Sequence, residues 1–360
     1  MTNGSKIKLL LFTPTLQCGG AERFVSLFCR YISLEQFAVC LVVLNNAHPF
    51  YIVNRPGIDV IDLQESRVRH SLFKLKKVVK AVQPDVVFST ANHLNLYFAI
   101  FRNHFPGQIK FIARESSIVS INTRRHSLPW LYNLLMKKYF RRFDMLICQG
   151  TYMQQDLVSQ YRVPANKTTI VYNGTEAVPV KTMPAATEPK VYKFITVSRL
   201  SEEKGIERLI HAVGLLMMPV NWYIIGDGDK KEALQQLINE LQLQEKIHLC
   251  AQRADPFEGM EDADLFLMGS YYEGFPNSLL EAGARGIPVV AFHAPGGIAE
   301  VITDGENGIL VEDNDLIAFA SAINRAVAAG FNRDKIIEST QKRFSVSGMV
   351  KQLENILLQL

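Results

Sequence analysis

Two glutamates, Glu273 and Glu281, stand eight positions apart in the run Glu-Gly-Phe-Pro-Asn-Ser-Leu-Leu-Glu. The apolar segment Leu265–Met268 predicts a buried strand, which puts Glu273 on the following loop and Glu281 in the first turn of the next helix. A carboxylate accepts hydrogen bonds from neighbouring hydroxyls, so the pair suits binding of a sugar or a ribose. For Glu281 the alternative is a capping box with Ser278, which does not explain Glu273.

Two cations, Arg199 and Lys204, follow the predicted strand Tyr192–Val197 and flank the expected start of a helix. A guanidinium is a fork of hydrogen-bond donors and an ammonium is a point charge, so the two together can bind a diphosphate. The alternative is that both are solvated loop cations and that Ser201 caps the helix.

Glycine pairs mark two further turns from a predicted strand into a helix. Gly19 and Gly20 allow a ligand to approach the backbone beside a helix N-terminus, which favours an anion. The alternative there is an ordinary turn in which Glu22 offsets the helix dipole. Gly296 and Gly297 form the second pair. The G-x-G-x-x-G fingerprint of dinucleotide-binding enzymes is missing, which argues against a dehydrogenase.

Features that could hold a metal or a disulfide are weak. Asp227 and Asp229 form a D-x-D pair, but they directly follow a predicted strand, where Asp-Gly-Asp is typical of a turn. Metal binding needs carboxylates that converge on one point, so we expect no essential metal and no cofactor. The five cysteines are scattered without a C-x-x-C motif and are expected to be free thiols in a reducing compartment.

The elements that must position these residues follow from the apolar pattern of the chain. Short apolar runs without clean alternation are separated by amphipathic helices, which predicts parallel sheets covered on both faces. Two helices carry apolar residues at helical spacing: Phe24, Val25, Phe28 and Ile32 on the first, and Ile206, Leu209, Ile210, Val213 and Met217 on the second. The other predicted strands are Ile7–Thr13, Phe37–Leu44, Ile58–Leu63, Asp85–Ser89, Lys110–Ala113, Met145–Cys148, Thr168–Val171, Trp222–Ile225, Lys246–Cys250, Val289–Phe292 and Gly308–Val311.

Two doubly wound α/β domains are therefore predicted, which suits a chain of 360 residues. The first covers residues 1–174, joined by a C-terminal helix at 346–360, and the second covers 191–345. A linker at 175–190 contains three prolines. Ligands of such sheets bind beyond the carboxyl ends of the strands, so two facing domains predict a site in the cleft between them.

Charge is unevenly distributed along the chain. Residues 1–180 carry 22 lysines and arginines against 10 aspartates and glutamates, whereas the remainder carries 17 against 25. This asymmetry indicates a basic surface for an anionic partner, either a membrane or a nucleic acid. Two basic segments that contain aromatic residues, 67–80 and 124–142, account for much of it. We expect the apolar residues of the first to pack on the sheet and the second to contact an anionic membrane or acceptor.

In this order along the chain, the glycine turn at Gly19, the pair Arg199 and Lys204, the E-x7-E motif and Gly296-Gly297-x-x-Glu resemble the retaining glycosyltransferases of family GT4. The resemblance extends over essentially the whole chain. It implies the GT-B fold, in which two Rossmann-like, doubly wound parallel-sheet domains face each other across an interdomain cleft. It also implies that the N-terminal domain binds the acceptor and the C-terminal domain the nucleotide-sugar.

The resemblance also implies roles for single residues. Arg199 and Lys204 hold the donor diphosphate, Glu273 binds the hydroxyls of the donor sugar, and these three form the catalytic set. Glu281 binds the ribose, and Arg253 lies near the base. The remaining donor-binding candidates are Gly19, Gly20, Gly274, Phe275, Pro276, Asn277, Ser278 and Leu279.

Members of the family often carry a histidine near the donor sugar in the N-terminal domain. The corresponding loop here is Ala113-Arg114-Glu115, without a histidine. Arg114, Glu115 and His93 are therefore the candidates for the acceptor site or the cleft. The resemblance implies retention of the anomeric configuration through an oxocarbenium-like transition state, in which the enzyme supplies orientation and electrostatic stabilisation.

The sequence thus predicts a glycosyltransferase that moves a hexose-type sugar from a nucleotide-diphosphate donor, with UDP favoured, to a lipid-linked oligosaccharide or lipopolysaccharide intermediate. The expected location is cytoplasmic, peripheral on the inner face of the cytoplasmic membrane, because no signal peptide or membrane-spanning run is visible. One alternative is a GT-B epimerase that acts on the nucleotide-sugar itself. Another is a nucleic-acid-binding protein that uses the basic half, although we expect no nucleic-acid partner.

Overall fold

The computed structural model describes residues 6–124, 127–179 and 190–360. The chain forms two compact units. The N-terminal unit comprises residues 1–174 and 346–360, and the C-terminal unit comprises residues 175–345. Most of the predicted linker, residues 180–189, lies outside the described residues.

The N-terminal unit is built on a seven-stranded sheet in the order β3-β2-β1-β4-β5-β6-β7, with every neighbouring pair parallel. Its interior strand β1 contains four consecutive fully buried residues, Leu9 to Phe12, because helices cover both faces of the sheet. The strands are β1 (Ile7–Thr13), β2 (Phe37–Val43), β3 (Ile58–Asp62), β4 (Val86–Thr90), β5 (Lys110–Arg114), β6 (Met145–Cys148) and β7 (Thr168–Ile170).

Within the described residues of this unit, six α-helices connect its strands and a further helix returns from the end of the chain. The connecting helices are α1 (Gly20–Tyr31), α2 (Leu72–Val82), α3 (Asn92–Phe101), α4 (Val119–Thr123), α5 (Pro129–Tyr139) and α6 (Thr151–Tyr161). The last helix of the chain, Val346–Leu358, buries Leu353 and Leu357 in one apolar core with Phe24 and Phe28 of α1. The N-terminal unit is therefore closed by residues that are distant in sequence.

The C-terminal unit contains a six-stranded parallel sheet in the order β10-β9-β8-β11-β12-β13. The strands are β8 (Tyr192–Val197), β9 (Val220–Ile225), β10 (Ile247–Cys250), β11 (Leu265–Met268), β12 (Val289–Phe292) and β13 (Gly308–Val311). This is the doubly wound arrangement, in which chain order reverses between β8 and β11. The predicted fold class, two Rossmann-like parallel-sheet domains, is confirmed.

Helices cover this second sheet as well. They are α7 (Ile206–Gly214), α8 (Lys231–Glu240), α9 (Asn277–Gly283), α10 (Ile298–Val301), α11 (Leu316–Ala329) and α12 (Arg333–Phe344). The last helix of the chain, Val346–Leu358, which belongs to the N-terminal unit, is α13. Three of the residues predicted on the buried face of α7, Leu209, Ile210 and Val213, are fully buried. The prediction for Met217 is wrong, because α7 ends at Gly214 and the Met217 side chain is 97% exposed.

Candidate functional site

The carboxyl ends of β8 and β11 form the point in the C-terminal unit where a doubly wound sheet opens a crevice for a ligand. The segment that leaves β8 carries Arg199 and Lys204, and the segment that leaves β11 carries Glu273. These residues are far apart in sequence, and the neighbouring positions of the two strands bring them to one edge of the sheet.

An ion pair joins the two segments. The Lys204 Nζ atom lies 2.6 Å from Glu273 Oε1, and the two side chains are only 16% and 11% exposed. The Ser270 hydroxyl donates a second hydrogen bond of 2.6 Å to the same oxygen. Among the described residues, none donates a hydrogen bond to Glu273 Oε2. The carboxylate is therefore fixed through one oxygen, and the other can accept hydrogen bonds from a ligand.

Arg199 lies at the outer side of this cluster. Its guanidinium is 2.9 Å from Glu203 Oε1, and its side chain is 74% exposed while that of Glu203 is 7% exposed. The Tyr271 N–H donates to the Glu203 carbonyl oxygen at 2.9 Å, which ties the β8 segment to the β11 segment a second time. Arg199 is thus accessible to an anion, whereas Lys204 is nearly enclosed.

Gly205 allows the two segments to lie this close together. Its φ angle is +56°, a conformation that costs a residue with a side chain more than it costs glycine. A Cβ atom at this position would lie 2.0 Å from the carbonyl oxygen of Gly269. Lys204 can therefore reach the β11 segment because the residue after it, Gly205, has no side chain.

Glu281 lies in α9, but not where the sequence suggested. The helix begins at Asn277, so Glu281 is its fifth residue and lies beyond the first turn. The proposed capping box is also wrong, because Ser278 is inside the helix, the N-cap position is Pro276, and no side chain caps the helix. The half-buried Glu281 remains a ligand-binding candidate on the helix that follows the Glu273 loop.

The loop after β12 packs directly on the Glu273 loop. The Glu273 N–H donates to the Pro295 carbonyl oxygen at 3.0 Å, and Glu273 and Gly296 form an isolated parallel bridge. A Cβ atom on Gly297 would lie 2.5 Å from the Phe275 ring, so glycine is needed for this contact. The predicted donor-binding segment from Gly274 to Leu279 therefore comprises the end of the Glu273 loop and the first residues of α9, and its loop part packs on the second glycine pair.

Arg253 lies on the loop after β10, two strands away from β8. Its guanidinium donates to the Pro256 carbonyl oxygen at 3.0 Å, and its buried Nε atom has no hydrogen-bond partner among the residues that the structure describes. Asp227 and Asp229 are exposed after β9. Within the described part of the chain, no group of three or more histidines, cysteines, aspartates and glutamates could hold a metal ion.

Three residues around the Lys204–Glu273 pair were not predicted from the sequence: Glu203, Ser270 and Arg208. Arg208 is 5% exposed although it lies on α7, where an arginine among apolar residues is expected to point to solvent. Its Nε donates to the Gly269 carbonyl oxygen at 2.6 Å, and a terminal nitrogen donates to that of Ser270 at 2.7 Å. The sequence contained one signal for Ser270, which lies two residues after the end of β11 and three residues before Glu273.

In the N-terminal unit, the turn with Gly19 and Gly20 leads from β1 to α1. Gly19 is the N-cap residue, and no side chain caps this helix end. Glu22 lies in the first turn, where its carboxylate accepts a hydrogen bond of 3.2 Å from the Thr15 hydroxyl. Burial raises the pKa of Glu22, and the bonds to its own backbone and to Thr15 offset part of that increase.

Glu115 is completely buried at the carboxyl end of β5. Asn95 donates to its Oε1 at 2.7 Å and Asn92 to its Oε2 at 3.2 Å, and the Gln149 side chain donates to its carbonyl oxygen at 2.9 Å. Burial raises its pKa to about 7, while these two asparagines and Arg114 act in the opposite direction.

Arg114 is 1% exposed beside it. Its guanidinium stacks 3.8 Å from the centre of the Phe24 ring and donates to the Asn173 side chain. In the described part of the chain, one of its terminal nitrogens finds no hydrogen-bond partner. Burial lowers its pKa to about 9, and the neighbouring Glu115 offsets part of that decrease. Arg114 and Glu115 thus belong to a buried polar network. His93, the third candidate, is exposed in the first turn of α3.

Two helices of the N-terminal unit expose faces that combine aromatic or apolar residues with lysines. On α5, Trp130 is 66% and Leu134 56% exposed, and the exposed Lys137 and Lys138 follow at helical spacing. On α2, Phe73 is 80% exposed, with exposed lysines one and two turns later. The inner sides are apolar, as predicted for the first segment: Leu75 and Val79 are buried. Residues 125–126 of the second segment lie outside the described residues.

Across the described residues, the structure contains no helix with the length and apolar character needed to cross a bilayer.

Comparison with known proteins gives two family matches. The model for glycosyl transferases group 1 matches residues 183–343, and the model for Glycosyltransferase Family 4 matches residues 18–177. The N-acetylgalactosamine-N,N'-diacetylbacillosaminyl-diphospho-undecaprenol 4-alpha-N-acetylgalactosaminyltransferase of Campylobacter jejuni is 28% identical over 320 residues, which cover 86% of this chain and 87% of the relative.

Solved structures show the same fold at low sequence identity. The lipopolysaccharide outer core galactosyltransferase WaaB, in its apo form, superposes with a TM-score of 0.77 at 19% identity, covering 98% of this chain and 99% of its own. HepE of Anabaena, solved in complex with UDP-glucose, superposes with a TM-score of 0.77 at 21% identity and covers 98% of this chain and all of its own.

Proposed function

Because this chain belongs to glycosyltransferase family 4 and is a glycosyltransferase with the GT-B fold, we propose that it moves a hexose-type sugar from a UDP-sugar to a membrane-associated glycan acceptor. The observation that carries the donor side is the largely enclosed Lys204–Glu273 pair at the carboxyl ends of β8 and β11. It brings a cation suited to a diphosphate within 2.6 Å of a carboxylate suited to sugar hydroxyls.

Lys204 and Arg199 bind the donor diphosphate in this proposal. Each cation is already next to a carboxylate, so the phosphates share Lys204 with Glu273 and Arg199 with Glu203. The positive charge stabilises the negative charge that develops on the diphosphate as the bond to the sugar breaks. Glu281 binds the ribose, and Arg253 lies near the base.

Glu273 orients the sugar through hydroxyls bound at Oε2. We propose that the reaction retains the anomeric configuration and that the departing phosphate accepts the proton of the incoming hydroxyl. The chain then contributes orientation and electrostatic stabilisation rather than a strong base, and no metal ion.

The acceptor proposal rests on the relatives and on the N-terminal unit. The Campylobacter relative is named for a diphospho-undecaprenol-linked acceptor, and WaaB for the lipopolysaccharide outer core. The exposed faces of α2 and α5 fit an anionic bilayer, with Trp130 and Phe73 in the interface and lysines near lipid phosphates. We therefore propose a lipid-linked oligosaccharide or lipopolysaccharide intermediate as acceptor, at the cytoplasmic face of the membrane.

A transfer assay tests the proposal. Purified protein is given UDP-glucose, UDP-galactose, UDP-N-acetylglucosamine or UDP-N-acetylgalactosamine, together with lipid-diphosphate-linked saccharides in anionic vesicles. Lys204→Ala and Glu273→Gln should each lower transfer by roughly 100-fold or more, because each removes charge or a hydrogen bond at the reacting centre. Lys231→Ala is the matched control, since it removes a lysine of an exposed ion pair in the same unit.

Near-normal transfer by both site variants would contradict the assignment. Donor that is fully converted to another nucleotide-sugar without acceptor would indicate the epimerase instead. Salt-sensitive binding of DNA or RNA without any donor-dependent product would indicate the nucleic-acid-binding alternative.

A further inference from the structure

The Glu273 carboxylate is supported by two residues that have no predicted contact with the donor. We infer that Ser270 and Arg208 are positioning residues for Glu273: Ser270 orients the carboxylate, and Arg208 fixes the loop that carries Ser270. The inference rests on the proposed function, because it concerns the same donor site.

Ser270 acts through a single hydrogen bond. It is 2% exposed, and its hydroxyl donates to Glu273 Oε1 at 2.6 Å. Lys204 approaches the same oxygen at 2.6 Å. When a phosphate binds Lys204, part of that ion pair is given up, and the serine becomes the donor that still holds Oε1. The carboxylate then keeps Oε2 directed to the ligand.

Arg208 holds the chain on both sides of Ser270. Its guanidinium donates to the carbonyl oxygens of Gly269 and Ser270 at 2.6 and 2.7 Å, and to Asp313 Oδ1 at 2.6 Å. It is enclosed between the rings of Tyr271 and Phe292, at 4.1 and 4.0 Å from their centres. A planar fork of donors suits this arrangement, and a lysine cannot reproduce it.

The backbone around Ser270 is closely packed against the segment that leaves β8. Gly269 packs against the Gly205 carbonyl oxygen, which would lie 2.3 Å from a Cβ atom. The orientation of Ser270 is therefore set by Arg208 on one side and by the close approach to Gly205 on the other. A small error in the position of a binding group is costly for catalysis, because the reacting atoms must be aligned.

Ser270→Ala tests the inference. With the four UDP-sugars as donors, we expect kcat to fall roughly 10-fold to 100-fold, the effect of losing a hydrogen bond to a charged group. Calorimetry should show that the variant no longer binds the UDP-sugar more tightly than UDP alone, while its affinity for UDP changes less than twofold. Ser270→Thr keeps the hydroxyl and should restore most of the activity.

A double-mutant cycle separates positioning from general destabilisation. If Ser270 acts through Glu273, Ser270→Ala should add less than about twofold in the Glu273→Gln background, for both kcat and sugar affinity. Arg208→Lys should show the same loss of sugar affinity. The matched control is Thr196→Val, which removes another buried hydroxyl that bonds the β11 carbonyl of Leu267 and should leave kcat unchanged.

The outcomes are distinct. Full additivity with Glu273→Gln, or unchanged kinetics of Ser270→Ala in an active enzyme, would overturn the positioning role and leave the proposed function intact. A wild-type protein that neither binds nor turns over any of the donors would overturn both.

Discussion

Replacing Glu115 by glutamine is expected to stabilise the N-terminal unit increasingly as the pH rises. Burial raises the pKa of this carboxyl from 4.5 to about 7, and the hydrogen bonds from Asn95 and Asn92 together with the charge of Arg114 oppose burial without outweighing it. The charge of the nearby Asp156 contributes to that increase in the pKa. Above that value the folded protein contains a buried carboxylate, whereas glutamine is neutral throughout.

The sign follows from proton binding. Between the unfolded pKa of 4.5 and the folded pKa of about 7, the folded state binds the proton more tightly, so stability is full below pH 4.5 and decreases as the pH rises. The difference of pKa values corresponds to about 3 kcal/mol, of which about 2 to 3 kcal/mol fall between pH 5 and pH 8. For a unit of this size, that is a decrease in Tm of roughly 5–10 °C. Arg114, with a pKa of about 9, adds little slope over this range.

Calorimetric unfolding of wild type and Glu115→Gln from pH 5 to pH 8 measures this difference. The glutamine amide opposite the asparagine donors lowers the stability of the variant by an amount that does not depend on pH. The relevant quantity is therefore the slope of Tm against pH. Glu35→Gln, at an exposed position of the same unit, is the control. Parallel Tm curves for wild type and Glu115→Gln would refute the reasoning.

Three further predictions concern packing and surface. Gly205→Ala should lower the stability of the C-terminal unit by about 1–3 kcal/mol and reduce donor binding, because Gly205 has a positive φ and lies against the Gly269 carbonyl oxygen. Chemical denaturation and UDP titration measure the two effects, and unchanged values would contradict that contact. Leu353→Ala should lower the free energy of unfolding of the N-terminal unit by about 2–5 kcal/mol, whereas Leu358→Ala, at a half-exposed position, should lower it by less than about 1 kcal/mol. Equal decreases would count against burial of the last helix. Trp130→Ser should weaken sedimentation with anionic vesicles several-fold, and Met217→Ser, at an even more exposed position of the other unit, should not. Equal effects of the two substitutions would argue against the α5 face.

Strands and fold class followed from the sequence because parallel strands covered on both faces are continuous apolar runs. Leu9 to Phe12 and Leu265–Met268 are such runs, and both are buried strands. The alternation with helices is sufficient to predict a doubly wound sheet. Periodicity was less reliable at helix ends: the pattern continued to Met217, whereas the helix ended at Gly214.

Long-range packing is what the sequence could not show. From its charge alone, Arg208 of α7 is expected to point to solvent. Its guanidinium is instead buried, because the carbonyl groups after β11 and the side chain of Asp313 accept its hydrogen bonds there. Glu115 was recognised as a candidate by its place after a strand, but its complete burial depends on asparagines from α3. Such contacts depend on which strands become neighbours, and residue type alone does not encode that.

The central claim is that Lys204 and Glu273 form the donor site, and a crystal structure of the protein with a bound UDP-sugar tests it most directly. We predict diphosphate oxygens within hydrogen-bonding distance of Lys204 Nζ and a sugar hydroxyl on Glu273 Oε2, with Ser270 still bonded to Oε1. A UDP-sugar bound elsewhere in the unit, with the Lys204–Glu273 pair unchanged, would contradict it.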